Sequence, residues 1–142
     1  MSLISEVADA VAGELSAQTF TPAFKTIRAY RHDQTLPDGK ELKVSVVPKG
    51  MTVTPAARTL CRYDLEIFVA VMRKVDRAHP ADIDPLLGLV TDIVDFFRLR
   101  RLEQFPDAMW VGTEIKPMVS TDHLETLKQF TSLITLTYKV TR

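Results

Sequence analysis

Two long stretches with the alternation of β-strands constrain the fold of this chain most. Residues 129–140 alternate threonine with bulky apolar residues, and residues 62–75 form a second run rich in β-branched and aromatic side chains. Successive side chains of a strand point to opposite faces, so every second residue shares a face. On the second run that shared face holds Tyr63, Leu65, Ile67, Val69 and Val71. We predict that the two strands pair with each other, side by side in one sheet.

An amphipathic helix is predicted between these strands, over residues 81–101. Its apolar residues recur at the i, i+3, i+4, i+7 spacing that places them on one face of a helix. They are Ile83, Leu86, Leu87, Val90, Ile93, Val94 and Phe97. This face is expected to cover the sheet.

The ends of this helix are predicted from caps and charges. Asp84 followed by Pro85 is typical of an N-cap and a first helical residue, and Asp82 is the alternative cap. Positive charge near a helix C-terminus complements the helix dipole. The residues expected to supply it in the last turn are Arg98, Arg100 and Arg101.

The remaining elements follow from periodicity and turn residues. They are a helix over 2–15 capped by Ser2, strands over 24–31 and 42–48 that form a hairpin around the polar loop 32–41, a connection over 49–57, an extended third strand over 58–75, a strand over 108–118, and a short helix over 120–127 capped by Ser120 or Thr121. This order predicts one α+β domain, 1–142, with a largely antiparallel or mixed sheet of about five strands and two main helices packed on it.

Composition excludes several classes of protein. The 142 residues carry 18 basic and 18 acidic side chains, which argues against a nucleic-acid binder that relies on net positive charge, although a local patch stays open. The lone Cys61 excludes an internal disulfide and a cysteine-based zinc site, and we expect it to be a buried small hydrophobe. The first residues have neither a basic segment nor an unbroken apolar stretch, so we expect no signal peptide and no membrane span.

Few residues of the chain are arranged for chemistry. His32, His79 and His123 are scattered over predicted loops or loop edges and lack metal-ligand spacing. Asp64 and Glu66 share one face of a strand, and catalysis there would need a cleft and a third group. Further candidates are best read as solvated or structural: Asp92 and Asp95 on the polar side of the helix, Arg98 to Arg101 at its end, and the scattered Gly13, Gly39, Gly50, Gly88 and Gly112. We therefore predict no enzyme, and no catalytic, cofactor-binding or metal site.

The composition and position of the last strand indicate how the protein associates. Thr131, Thr135, Thr137 and Lys139 give it a polar face of high β-propensity, and a long strand at the terminus of a small sheet is open to edge pairing unless another chain or another element covers it. Burial of such edges in an oligomer is the economical solution. We therefore predict self-association.

Four stretches of the sequence resemble the tail terminators of long-tailed phages, a family of neck and tail-completion proteins that also occurs in prophages. They are residues 1–10 (MSLISEVADA), 42–49 (LKVSVVPK), 86–96 (LLGLVTDIVDF) and 123–138 (HLETLKQFTSLITLTY). Together with the order of elements they span nearly the whole chain. They are packing patterns and not a catalytic fingerprint.

The resemblance implies a structural virion protein without catalytic residues or cofactor. Tail terminators form a ring, usually a hexamer, that caps the tail tube, stops its polymerisation and docks on head-completion proteins while DNA passes through the lumen. The implied partners are further copies of the chain, the tail tube protein and a neck protein, and the location is the neck of a virion assembled in the host cytoplasm. Loop 31–41 and connection 49–57 would reach a neighbouring ring, so deleting residues 33–39 should abolish head–tail joining without unfolding the protein.

Three alternatives stay open at this point. The first is another component of the same particles, a head-closure or minor tail protein. The second is a cellular α+β interaction module that dimerises. The third is a small enzyme that uses Asp64 and Glu66, which would need a pocket enclosing both carboxylates.

Overall fold

The chain folds as an α+β domain in which helices cover a five-stranded mixed sheet, as predicted. The computed structural model describes residues 2–31, 41–75 and 79–142. The elements in chain order are α1 Leu3–Ala17, β1 Lys25–Arg28, β2 Lys43–Ala57, β3 Leu60–Lys74, α2 Pro80–Phe97, β4 Met109–Ile115, α3 Thr121–Thr126 and β5 Gln129–Thr141. The predicted loop 32–41 falls almost entirely outside the described residues.

The pairing of β3 with β5 is the centre of the sheet. The two strands run antiparallel over thirteen residue pairs, from Arg62 opposite Thr141 to Lys74 opposite Gln129. The strand order is β1-β2-β3-β5-β4, so β5 has a neighbour on each side. The last strand is therefore not an edge that needs another chain, because β4 of the same chain covers it.

The first two strands pair differently from the prediction. β1 runs parallel to β2, with Lys25 opposite Lys43 and Arg28 opposite Val46, so they do not form a hairpin. The hairpin is instead β2 with β3, whose antiparallel register extends from Lys43 opposite Met72 to Ala57 opposite Leu60. Residues 49–57, expected as a connection, are the second half of β2. A register shift between Pro48 and Gly50 lets the strand continue past these two residues.

Both long helices pack on one face of the sheet. Val7 and Val11 of α1 and Leu86 and Ile93 of α2 belong to the same buried cluster as the strand residues. The strand residues of that cluster include Val44, Val46, Ile67, Val69, Ile134 and Leu136. The predicted N-cap of α1 is confirmed, since the Ser2 hydroxyl accepts the N–H of Ser5 at 3.3 Å. Ser120 likewise caps α3 through the N–H of His123.

The ends of α2 differ from the prediction. Its N-cap is His79, with Pro80 as the first helical residue, while Asp82 lies in the first turn and Pro85 lies inside the helix. Neither Asp84 nor Asp82 is the cap. The helix stops at Phe97, because Leu99 adopts a left-handed backbone conformation with φ 58°.

The three arginines expected in the last turn of α2 lie beyond that turn: Arg98 is the C-cap, and Arg100 and Arg101 follow the helix. The last turn of α2 carries no basic residue. Arg100 is held by a carboxylate of α1, described below. The predicted placement of these charges in the last turn is therefore wrong.

The other face of the sheet changes character along β3. Asp64, Glu66 and Phe68 are partly exposed, whereas Ala70 and Met72 are fully buried. The outer surface of this strand is therefore solvated near its start and buried toward its end. Leu133 of β5 packs with Ala70 and Met72 in a second, smaller cluster.

Candidate assembly surface

The β2–β3 hairpin extends beyond the part of the sheet that the helices cover. Every residue from 51 to 60 is exposed, although this stretch keeps strand geometry up to its turn. We call residues 50–63 the distal hairpin. Three of its large apolar side chains are unusually open: Met51 is 49%, Val53 47% and Leu60 43% exposed. Exposed apolar groups clustered on an extended element mark an interaction surface more often than single ones do.

The outer edge of β2 is open along this hairpin. β1 pairs with β2 only from Lys43 to Val46, and beyond that the Ala29 N–H donates to the Val46 carbonyl at 3.0 Å. On the side of β2 that faces away from β3, no described strand lies beside residues 47–57. Pro48 and Pro55 have no N–H, so this edge offers fewer donors to an incoming strand than an ordinary edge. Proline is a common device against uncontrolled edge pairing.

The opposite edge of the sheet is formed by β4. Its residues Met109 and Val111 are 57% and 45% exposed, and Trp110 is half-buried. The Trp110 Nε1–H donates to the Thr113 hydroxyl at 2.9 Å, which satisfies the indole without another element. A register shift between Trp110 and Gly112 interrupts the ladder with β5. Like the β2 edge, this edge combines apolar side chains with an irregular backbone.

The carboxylates that were weighed for catalysis lie on the open face of the sheet. Asp64 is 2.9 Å from the Arg62 guanidinium, and Glu66 is 3.1 Å from the Lys49 ammonium. Because both pairs are partly solvent-exposed, each contributes little to stability. Each carboxylate already has a cationic partner, and neither is enclosed in the way that an acid–base role requires. The arrangement favours two solvated surface ion pairs over an active site.

The other candidate residues are structural or dispersed. His79 begins α2, and the His123 Nδ1 lies 2.8 Å from the Thr131 hydroxyl, while His32 lies outside the described residues. Cys61 is half-buried, not buried, and its backbone pairs with Arg142 at the end of the sheet. Among the described residues no group of three His, Cys, Asp or Glu side chains is placed to hold a metal ion. Asp92 and Asp95 are exposed on α2, as predicted.

One buried polar cluster was not predicted from the sequence. Glu14 of α1 is only 6% exposed; its carboxylate accepts the Arg100 Nε–H and the Glu103 backbone N–H, each at 2.9 Å. The signal was present, because Glu14 follows Val7 and Val11 at helical spacing and so lies on the buried face. The cluster fixes the segment after α2 against α1. It is a structural clamp, since its carboxylate is fully engaged.

Searches for known relatives add no identification. No protein-family model matches the chain, and no curated protein matches it. In the described part of the chain, no helix is long and apolar enough to cross a membrane.

Proposed function

We propose that this protein is a tail terminator of a long-tailed phage or prophage. In this role it forms a homo-oligomeric ring, a hexamer by resemblance, at the end of the tail tube. The ring stops polymerisation of the tube protein and joins the tail to the head or neck. DNA passes through its lumen without sequence-specific contacts, in keeping with the neutral net charge.

The distal hairpin is the observation that carries the proposal. Ten consecutive residues, 51–60, are exposed in an ordered two-stranded arm, and in a monomer Met51, Val53 and Leu60 stay open to solvent. Contact with another subunit would bury these three apolar side chains. Burial of such side chains against another subunit contributes roughly 25 cal/mol per Å² of apolar surface. Because this arm extends past the helices, it can reach a neighbour without disturbing the core. An assembly protein explains the arm better than an enzyme does.

The alternatives are separated by specific features. A head-closure or minor tail protein would share the arm and differ in which layer of the particle it occupies. A cellular dimerisation module would use one surface twice, around a two-fold axis. An enzyme built on Asp64 and Glu66 is disfavoured by the ion pairs that both carboxylates already form.

The subunit count and symmetry of the purified full-length chain test the proposal. Native mass spectrometry and negative-stain images should give a closed ring with one subunit mass repeated a fixed number of times. The ring should also shorten tubes when it is added to the polymerising tube protein of the same particle. A monomer or a two-fold dimer at high protein concentration, in the presence of that tube protein, would overturn the assignment.

A further inference from the structure

The two apolar edges of the sheet lie at the same level, although they are at opposite ends of its strand order. The register follows one row from Met51 through Leu65 and Tyr138 to Trp110. The adjacent row runs from Thr52 through Asp64 and Lys139 to Met109. Side chains in one row share a face of the sheet. Exposed Met51 of β2 is therefore level with half-buried Trp110 of β4, and exposed Met109 of β4 lies in the adjacent row, on the opposite side of the molecule from β2.

β4 also overlaps the open part of the β2 edge along the strand direction. β1 covers the outer side of β2 as far as Val46, and on that side residues 47–57 have no described strand beside them. The rows place Ile115, the last residue of β4, level with Val46, and Met109, its first, level with Thr52. The seven residues of β4 thus span the level of residues 46–52, which is the part of the open β2 edge next to the end of β1. A second copy in the same orientation would bring its β4 beside this part of the β2 edge.

The direction and the charges of the two edges agree with this placement. β2, β3, β5 and β4 are joined by three antiparallel pairings, so β4 runs antiparallel to β2, which suits antiparallel neighbours. Glu114 of the second copy would lie level with Val47, beside the ammonium of Lys49 on the same face. Trp110 would meet Met51, a sulfur–aromatic contact of a favourable type. Opposite charge and apolar contact coincide at one boundary.

We propose that the β4 edge of a second copy docks beside residues 47–54 of β2, which makes this the subunit boundary of the ring. That the contact closes into a ring rests on the proposed function, whereas the choice of the two edges rests on the strand register and the charges. The contact is heterologous, because two different edges meet, and a rotation without rise along the strands repeats it until the assembly closes. Pro48 and Pro55 limit backbone pairing at the boundary, so side chains carry most of the contact.

Cysteine cross-linking tests the boundary directly. In a Cys61→Ser background, Thr52→Cys is introduced on the β2 edge and Met109→Cys on the β4 edge, both at exposed positions. An equimolar mixture of the two single variants should form a disulfide-linked dimer under mild oxidation, and each variant alone should not. The mixture should exceed a control mixture of Thr52→Cys with Asp92→Cys by about 10-fold or more, because docked thiols have a far higher effective concentration than free chains. The variant with both cysteines should give a ladder that ends at the subunit count of the ring.

The possible outcomes test the subunit boundary and the ring independently of each other. A closed ring whose mixture cross-links no better than the control would overturn the boundary and leave the tail-terminator proposal standing. Cross-linking in an assembly that never closes would support the boundary and count against the ring. Dimers formed by Thr52→Cys alone would show that β2 meets β2 around a two-fold axis, which overturns both. Circular dichroism of each variant confirms that it is folded before cross-linking is compared.

Discussion

The hydroxyl of Tyr138 is a buried polar group without a hydrogen-bond partner among the described residues. The side chain is fully buried between the sheet and the helices, on the core face of β5. A buried donor that lacks a partner costs about 1–3 kcal/mol, and its removal can be stabilising. We therefore predict that Tyr138→Phe keeps or raises the free energy of unfolding, by up to about 1 kcal/mol. Urea unfolding at neutral pH measures it, and a loss of more than 1 kcal/mol would show that the hydroxyl has a partner.

The same residue should make the protein sensitive to alkali. Burial raises the pKa of the Tyr138 phenol above its ordinary value of 10.0, with the nearby Glu14 carboxylate acting in the same direction and Arg100 against it. Below that ordinary value the phenol is protonated in both the folded and the unfolded chain. Above it only the unfolded chain releases the proton, so this residue lowers the free energy of unfolding by about 1.4 kcal/mol per pH unit.

Unfolding between pH 8 and 11 checks this alkaline loss. Tyr138→Phe should remove the part of the loss that begins near pH 10, roughly the ordinary phenol value. Tyr30→Phe, on a ring that is 78% exposed, is the matched control and should leave the loss in place. Equal pH dependence in the wild type and in the Tyr138→Phe variant would contradict the role assigned to burial.

At the scale of elements, α2 begins without a side-chain cap. His79 occupies the N-cap position, yet its side chain accepts no N–H from the first turn. Serine at this position can accept such an N–H and typically stabilises a helix by about 1 kcal/mol. We predict that His79→Ser raises the free energy of unfolding by about that amount. Ser2→Ala, which removes the observed cap of α1, is the opposite control and should lower it; an unchanged His79→Ser variant would mean that the α2 terminus is already satisfied.

The sequence predicts an element well where one force dominates. Alternation identified β3 and β5, since both strands place every second residue in the core, and it also implied that they pair. It failed for the second half of β2, where Pro48, Gly50 and Pro55 are typical of a connection. Those residues are tolerated because the strand is at an edge and carries an irregular register. The parallel pairing of β1 was hidden for a related reason, because a turn signal in loop 32–41 suggested a hairpin.

The candidate surface was only partly accessible to sequence reasoning. Exposed edges and self-association were expected, but they were assigned to β5, which β4 covers. The open edges are β2 and β4, and only the strand order reveals this. Likewise, the spacing of Glu14 on α1 indicates that it is buried, but its partners Arg100 and Glu103 are remote in sequence and only the structure identifies them. Contacts between distant parts of the chain decide both points.

In the molecule as a whole, the buried core is separate from the surface that we propose for assembly. Helices α1 and α2 and the covered half of the sheet form the core, while the distal hairpin carries none of the large buried side chains. Surface substitutions away from the core change the free energy of unfolding by about 0.5 kcal/mol or less. Changes on the hairpin should therefore affect association without affecting folding. This separation makes the surface testable by mutation.

The double variant Met51→Lys, Val53→Lys tests the separation directly. Both side chains are about half exposed, so two lysines are tolerated in the free subunit, but at a subunit boundary they would place charge where apolar contact is needed. We predict a free energy of unfolding within about 0.5 kcal/mol of the wild type for each substitution. Each 1.4 kcal/mol lost at the boundary weakens association about tenfold, so the rings should dissociate at concentrations where wild-type rings persist, as sedimentation velocity would show. Leu99→Lys, at an apolar residue that is 82% exposed after α2, is the control and should keep its rings. Intact rings in the double variant would exclude the distal hairpin from the boundary, and an unfolded double variant would show that the hairpin belongs to the core.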